Sequence, residues 1–367
     1  MGRLIRASCA ALLAAVILLG ASGCGNGDIT WQEAYSYDLD ECVRLGQYKG
    51  LEVEVDERYA TQADIDARIA EILDVYSTYA LAEDYAAQMG DRVIIDYVGT
   101  IREKAFEGGS ATDASVELGS ANFIEGFEEG LVGAKAGDEL ELDLTFPADY
   151  MRTSLAGRDA KFAVKVKAVY KKSVPEFNDA FALANSEYSS AADYLQAITD
   201  EINAEKPQQV EQKKLEDCWN AAKENALVFY VPQDDMQNYY YSNYYYYYAM
   251  ARHQDMEMDE FLDKYMGVTE KDFDAMINKL ALSQEEEVVV AMAIARDENL
   301  VITKDMYNAK VEEYAKDWGY EDSAAFKKDV GQKVDEYYSP IMIYRDVFLD
   351  MVMQLVADSA VEIPLRG

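Results

Sequence analysis

A chain of 367 residues, half of them apolar and 28% charged, is long enough to bury two or three cores. Its formal net charge of −35, with no basic patch to offset it, argues against nucleic acid as a partner. It has no P-loop, no dinucleotide-binding glycine motif and no H-E-x-x-H, and Asp38-Leu39-Asp40 lacks the glycine and closing glutamate of a calcium loop. With His253 as the single histidine, neither a His-based triad nor a metal site is expected, and no cofactor.

The first 23 residues read as an address. Arg3 and Arg6 precede an apolar run, Ala10 to Leu19, that is too short to span a ~30 Å hydrocarbon core as a helix. Ala21-Ser22-Gly23 before Cys24 resembles a bacterial lipoprotein cleavage box, with Ala21 where leucine is usual. The expectation is cleavage, lipidation of Cys24 and an extracytoplasmic, membrane-anchored protein, the two acyl chains giving stable anchoring. An ordinary secretory signal cut nearby is the alternative. Cys42 and Cys218 then remain, and an exported protein sits where they can be either bridged or two separate thiols.

Residues 24–47 look like a tether. Leu51 to Val55 alternates as a strand does, and Thr61 with Asp64 forms a weak capping box for a helix with Ile65, Ile69, Ile72 and Tyr76 on one face. Leu140, Leu142 and Leu144 alternate with acidic residues, and Phe162, Val164 and Val166 with Ala163, Lys165 and Lys167, so both segments are half-buried strands. Phe123 to Leu131 reads as a short helix ended with help from Gly133. Beyond Pro175 strand signals nearly vanish. Ser190 with Asp193, Thr269, Thr303 and Ser323 are candidate caps, Pro207 is expected to kink or end a helix, and a long final helix carries Val334 to Leu355. The whole is an α+β unit followed by a region of roughly six to eight helices.

Gly90-Asp91-Arg92-Val93-Ile94-Ile95-Asp96-Tyr97-Val98-Gly99-Thr100, Phe106-Glu107-Gly108-Gly109, Glu117-Leu118-Gly119-Ser120, Phe123-Ile124-Glu125-Gly126-Phe127 and Thr145-Phe146-Pro147 together resemble an FKBP-type peptidyl-prolyl isomerase domain, of the trigger-factor branch. Val174-Pro175-Glu176-Phe177-Asn178-Asp179-Ala180-Phe181 resembles the exit from such a domain. The resemblance is specific over 90–181 and architectural over roughly 48–363. It implies an FKBP-like twisted antiparallel sheet with a short helix over 89–172, an all-helical trigger-factor-like chaperone domain over 173–363, and a strand-helix linker over 48–88 that packs with the helical arms. The family's ribosome-docking domain has no counterpart, and the leader stands in its place, so no ribosome docking is expected.

Position by position, the resemblance implies that Tyr97 and Phe106 form pocket walls and that Glu107 is the acidic residue beside the pocket. Phe123 and Ile124 meet the substrate, with the Ile124 amide donating to it; Phe127 is the floor, and Phe146, Tyr150 and Phe162 complete the ring. Taken singly, and from periodicity alone, each aromatic is better explained as core. The implied chemistry is rotation of Xaa–Pro bonds, whose barrier of ~18–20 kcal/mol comes from amide resonance. A twisted amide is less polar than a planar one, so an apolar pocket binds it preferentially. The partners would be unfolded or nascent exported polypeptides with Xaa–Pro bonds. A holdase that grips such segments without catalysis is the alternative.

Of 28 tyrosines, eight lie between Tyr239 and Tyr248, enough to face every direction of a helix. Tyr240, Tyr244, Tyr247 and Tyr248 are candidate client contacts, since tyrosine gives large amphipathic contact at low entropy cost; packing between helices plus exposed filler is the alternative.

Overall fold

The computed structural model describes residues 28–337 and 339–365. The predicted leader, Cys24 with its lipidation, and Tyr338 lie outside the described residues. The chain divides into two compact units, one taking in the chain through Ala60, Glu201–Asn243 and the part from Lys279 on, the other Thr61–Asp200 with Tyr244–Asn278.

The second unit holds a five-stranded antiparallel sheet: β1 (Thr78–Leu81), β2 (Arg92–Ile101), β3 (Lys104–Glu117), β4 (Glu139–Thr145) and β5 (Asp159–Ser173). Strand β5 is the spine, pairing with β4 at its start, with β1 at its end and with β2 along most of its length. Its alternation puts Phe162, Val164 and Val166 inside and Lys161, Lys165 and Lys167 outside, as its sequence predicts. The linker expected over 48–88 is split. Residues 48–60 belong to the first unit, where Glu52–Val55 runs parallel to Val361–Pro364. The capped helix, Gln62–Val75, and β1 belong to the second, so the sheet begins before residue 89.

The helix expected over Phe123–Leu131 does not form; only Glu129–Leu131 makes a 3-10 turn. Gly126 sits at φ +88°, which interrupts right-handed helix. The Glu128 carboxylate turns to the preceding loop instead. It accepts hydrogen bonds from the amides of Gly119 (2.7 Å), Asn122 (3.0 Å) and Ala121 (3.2 Å) and from the Ser120 hydroxyl (3.0 Å). Burial opposes its charge, but these donors together outweigh burial and hold its acid below the usual range.

Six helices of fourteen residues or more occur among the described residues: α1 (Gln62–Val75), α2 (Ala191–Asn225), α3 (Gln233–His253), α4 (Glu270–Asp297), α5 (Lys304–Asp317) and α6 (Pro340–Asp358). Pro207 does not end its helix: α2 runs through it for 35 residues, because Ile202, Val210, Cys218 and Trp219 bury one face on either side of the missing hydrogen bond. The last helix is instead divided at Ser339, at φ +67°, with Pro340 opening α6.

The expected tether is, over its described part, integrated into the first unit. Ile29–Thr30 pairs with Val301–Ile302, Val43–Arg44 pairs with Leu227–Val228, and Tyr35, Leu39 and Cys42 are buried between them. These elements are two to four residues long, too short to show a period. Cys42 and Cys218 are free thiols, both buried.

Candidate active site

The sheet and the loop after β3 bring the predicted aromatics together. Phe127 lies at the bottom with no exposure. Phe123 stacks on it with centroids 4.4 Å apart, and Phe162 (5.3 Å) and Tyr97 (5.6 Å) meet it edge-on. Phe106 touches Phe146 and Phe162 at 5.7 and 6.0 Å, and Tyr150, partly exposed on the loop after β4, lies 4.8 Å from Phe146. Ile124 is half-buried against the same core. Tyr97, Phe106, Phe123, Ile124, Phe127, Phe146, Tyr150 and Phe162 therefore converge. Glu107 stands apart: its residue is exposed, and it reaches the site only through its carbonyl, which accepts from Arg152 Nη1 at 2.8 Å.

Two glycines set the slot for Phe106. A Cβ on Gly109 would lie 2.5 Å from the Phe106 ring, and one on Gly99 2.6 Å from Phe162 and 2.9 Å from Phe106. Only backbone without a side chain lets the ring lie that close. The glycine framework was visible in the sequence; which ring each glycine admits was not.

Burial first, and the neighbouring Tyr150 second, push the Tyr97 hydroxyl above its ordinary value, so it stays neutral. The site thus presents rings and a neutral phenol. It has the composition to bind an apolar, uncharged group rather than to transfer a proton.

A separate concavity of about 810 Å³ lies along the outer face of the sheet, between Asp96, Val98, Glu139 and Lys165. Charged pairs such as Lys165–Glu139 (2.9 Å) line it beside Val98 and Leu140, and of the aromatic cluster only Tyr97 borders it.

The tyrosine run lies on α3 as expected, and its rings do point in all directions. Tyr239 is buried, Tyr240, Tyr244 and Tyr247 are half-buried, and Tyr241, Tyr245, Tyr246 and Tyr248 are exposed. Tyr244 and Tyr247 pack on Phe273 at 6.0 and 5.3 Å. Of the four expected client contacts, Tyr248 is exposed and Tyr240, Tyr244 and Tyr247 are half-buried, because the helical step of about 100° per residue spreads them around the helix.

Residues 83–167 match the family model of the FKBP-type peptidyl-prolyl cis-trans isomerase. Sheet and aromatic cluster thus define a peptidyl-prolyl isomerase in which helical elements far outweigh the isomerase domain. The chain belongs to the trigger factor family. It is 34% identical over 275 residues to the trigger factor of Halothermothrix orenii, covering 75% of this chain and 64% of that one. It is 30% identical over 334 residues to the trigger factor of Limosilactobacillus reuteri, covering 91% and 74%. It is also similar to a solved structure described as "Promiscuous Substrate Recognition in Folding and Assembly Activities of the Trigger Factor Chaperone", with 19% identity, a TM-score of 0.35 and coverage of 86% of this chain and 73% of that one.

Proposed function

We propose that this chain catalyses cis–trans isomerisation of Xaa–Pro bonds in unfolded exported polypeptides and holds them while it does so. The observation that carries the reading is the convergence of Tyr97, Phe106, Phe123, Phe127, Phe146 and Phe162 on one apolar site. Uncatalysed isomerisation takes tens to hundreds of seconds and limits folding. A planar amide keeps its preference for water; the twisted amide, with its resonance broken, keeps less of it. Rings in place of water therefore stabilise the twisted state selectively, and the barrier falls without a proton moving. The proline ring takes the place of the Phe123 ring over Phe127, because two rings 4.4 Å apart leave no room for a third between them. The Ile124 amide then donates to the client carbonyl. The protease-coupled assay on Xaa–Pro peptides tests this reading, and a wild type inert on every peptide would remove it.

That stacking also favours the second reading. If Phe123 stays on Phe127, the domain grips Pro-containing segments without turning them over, and the chain is a holdase.

Client holding falls to the outward rings of α3. Tyr241, Tyr245 and Tyr248 recur at i, i+4 and i+7, an exposed aromatic stripe, while Tyr246 and Met250 are exposed on the other side of the helix. Replacing Tyr241, Tyr245, Tyr246 and Tyr248 together by serine is expected to weaken suppression of aggregation of a proline-free unfolded client roughly tenfold, the equivalent of about 1.4 kcal/mol. The thermal midpoint should hold, since Tyr244 and Tyr247 keep their packing on Phe273. Undiminished suppression would assign the stripe to filler.

Anchoring at the outer face of the membrane rests on the cleavage box before Cys24. Radiolabelled palmitate is expected to enter the wild type and not Cys24→Ala. Incorporation that survives the substitution would sink the anchor. Among the described residues no helix is long and apolar enough to cross a membrane.

A further inference from the structure

The loop from Gly119 to Phe127 carries Phe123 and Ile124 to the aromatic site, and most of its amides have an acceptor. Those of Gly119, Ala121 and Asn122 donate to the Glu128 carboxylate, and that of Ser120 to the Glu117 carbonyl at 3.2 Å. At the other end the Gly126 amide donates to Glu129 Oε2 (3.0 Å) and the Phe127 amide to the Ile124 carbonyl (3.1 Å). Between these two sets stand Phe123, Ile124 and Glu125, whose amides meet no acceptor among the described residues. Phe123 and Ile124 are half-buried on the aromatic cluster, where a backbone N–H left without an acceptor is costly. Glu128 is 4% exposed, and an ionised carboxylate has acceptor sites alone, enough for the three amides and the Ser120 hydroxyl that reach it. The loop bends through left-handed backbone on both sides of the free amides, at Gly119 (φ +94°), Ala121 (φ +54°) and Gly126 (φ +88°). An alanine keeps that conformation only where its surroundings impose it, and the bond from the Ala121 amide to Glu128 does so here.

We propose that Glu128 and Glu129 are positioning residues for the isomerase. They grip the loop on either side of Phe123–Glu125 and present the free amides there, that of Ile124 first, to a main-chain carbonyl of the client next to its Xaa–Pro bond. That carbonyl lies outside the rotating bond, so the contact holds the planar and the twisted amide alike. It sets affinity, while the ring cluster sets the rate. A donor gains most when it is already aimed before the client arrives, and two anchored ends supply that aim.

The inference rests on the isomerase reading, and the test separates the two. Glu128→Gln keeps the size but turns an NH2 group toward the amides; Glu129→Ala removes the acceptor of Gly126 from an exposed position. On an Xaa–Pro tetrapeptide, KM is expected to rise about tenfold in Glu128→Gln and about threefold in Glu129→Ala, with kcat held within about twofold. A role confined to packing would loosen Phe127 and lower kcat instead. A set of peptides carries a thiocarbonyl, a weaker acceptor, at each carbonyl other than that of the Xaa–Pro bond in turn. At one position it should raise the wild-type KM about fivefold and leave that of Glu128→Gln unmoved, since both changes break one contact. Hydrogen exchange at the Ile124 amide reads the contact directly: fast in the free protein, slow with saturating tetrapeptide. An unmoved KM in both variants, a fall in kcat alone, or an Ile124 amide that saturating peptide leaves fast each overturns the inference. A wild type inert on every peptide removes the isomerase reading alone. The positioning role is then read from the peptide concentration that half-protects the Ile124 amide, which Glu128→Gln should raise about tenfold and which, unmoved, overturns it.

Discussion

Phe127→Ala is expected to remove at least about a hundredfold from kcat/KM on Xaa–Pro peptides, some 2.7 kcal/mol of transition-state stabilisation. It is also expected to lower the stability of the second unit by about 3–5 kcal/mol, because a buried phenylalanine loses both its transfer free energy and its packing. Phe127 has no exposure and touches Phe123, Phe162 and Tyr97, so no neighbour can close the gap without leaving the site. The two effects are separable with Phe127→Leu. Leucine fills most of the volume and should cost under about 1.5 kcal/mol, but it has no flat face to lie against a proline ring. The peptide rate of Phe127→Leu should fall about tenfold while its melting curve stays near that of the wild type. Wild-type turnover in a folded Phe127→Leu would reduce the cluster to ordinary core and leave only the gripping function.

The second large effect is expected in the first unit. Arg345 is 6% exposed; its Nε donates to the Ala34 carbonyl (3.0 Å), its Nη2 to Asp235 (2.8 Å), and it lies over the Tyr35 ring at 5.1 Å. Glu285 is fully buried beside it, with Oε1 accepting from the Tyr35 hydroxyl at 3.1 Å and Oε2 without a partner. Arg345→Met leaves Asp235 and Glu285 with no cation and is expected to cost about 3–5 kcal/mol, part of it recovered by adding Asp235→Asn. Urea titrations followed by tryptophan fluorescence measure this, since Trp31, Trp219 and Trp318 all belong to the first unit.

Glu285 also makes this unit sensitive to pH. Burial pushes its carboxyl up to about 7, Arg345 pulling it back and Asp235 adding to the rise. A folded pKa raised above the unfolded value of 4.5 means stability that is full below that value and lost as pH rises through about 7. Glu285→Gln keeps the acceptor for Tyr35 and does not titrate. It should therefore be more stable than the wild type at about pH 8, by on the order of 2 kcal/mol, and nearly equal to it at about pH 4. Equal midpoints at both pH values would show that Glu285 is already neutral or well solvated.

How far the sequence could be read depended on the range of the signal. Strands β4 and β5 announced themselves because a half-buried strand writes its two faces as alternating residue types. The capping boxes at Thr61 and Ser190 were legible because a cap is a local contact three residues long. Pro207 sits inside its helix and does not end it, because its local cost is outweighed by burial on both sides of it. The segment 28–47 misled in the opposite sense: its elements have no period, and only pairing with residues near 227 and 301 makes them structure. Phe123 to Leu131 failed as a helix because the Glu128 side chain is committed to amides six to nine residues behind it.

The aromatic and glycine residues of the isomerase site were all readable in order along the chain, since their spacing is a property of the covalent sequence alone. Their closure into one cluster, the stacking of Phe123 on Phe127, and the burial of Tyr244 and Tyr247 against Phe273 depend on residues far apart in sequence. Such contacts form only when the hydrophobic gain of the packed whole exceeds the entropy of closing long loops. No local pattern encodes that balance, and the tertiary structure alone decides it.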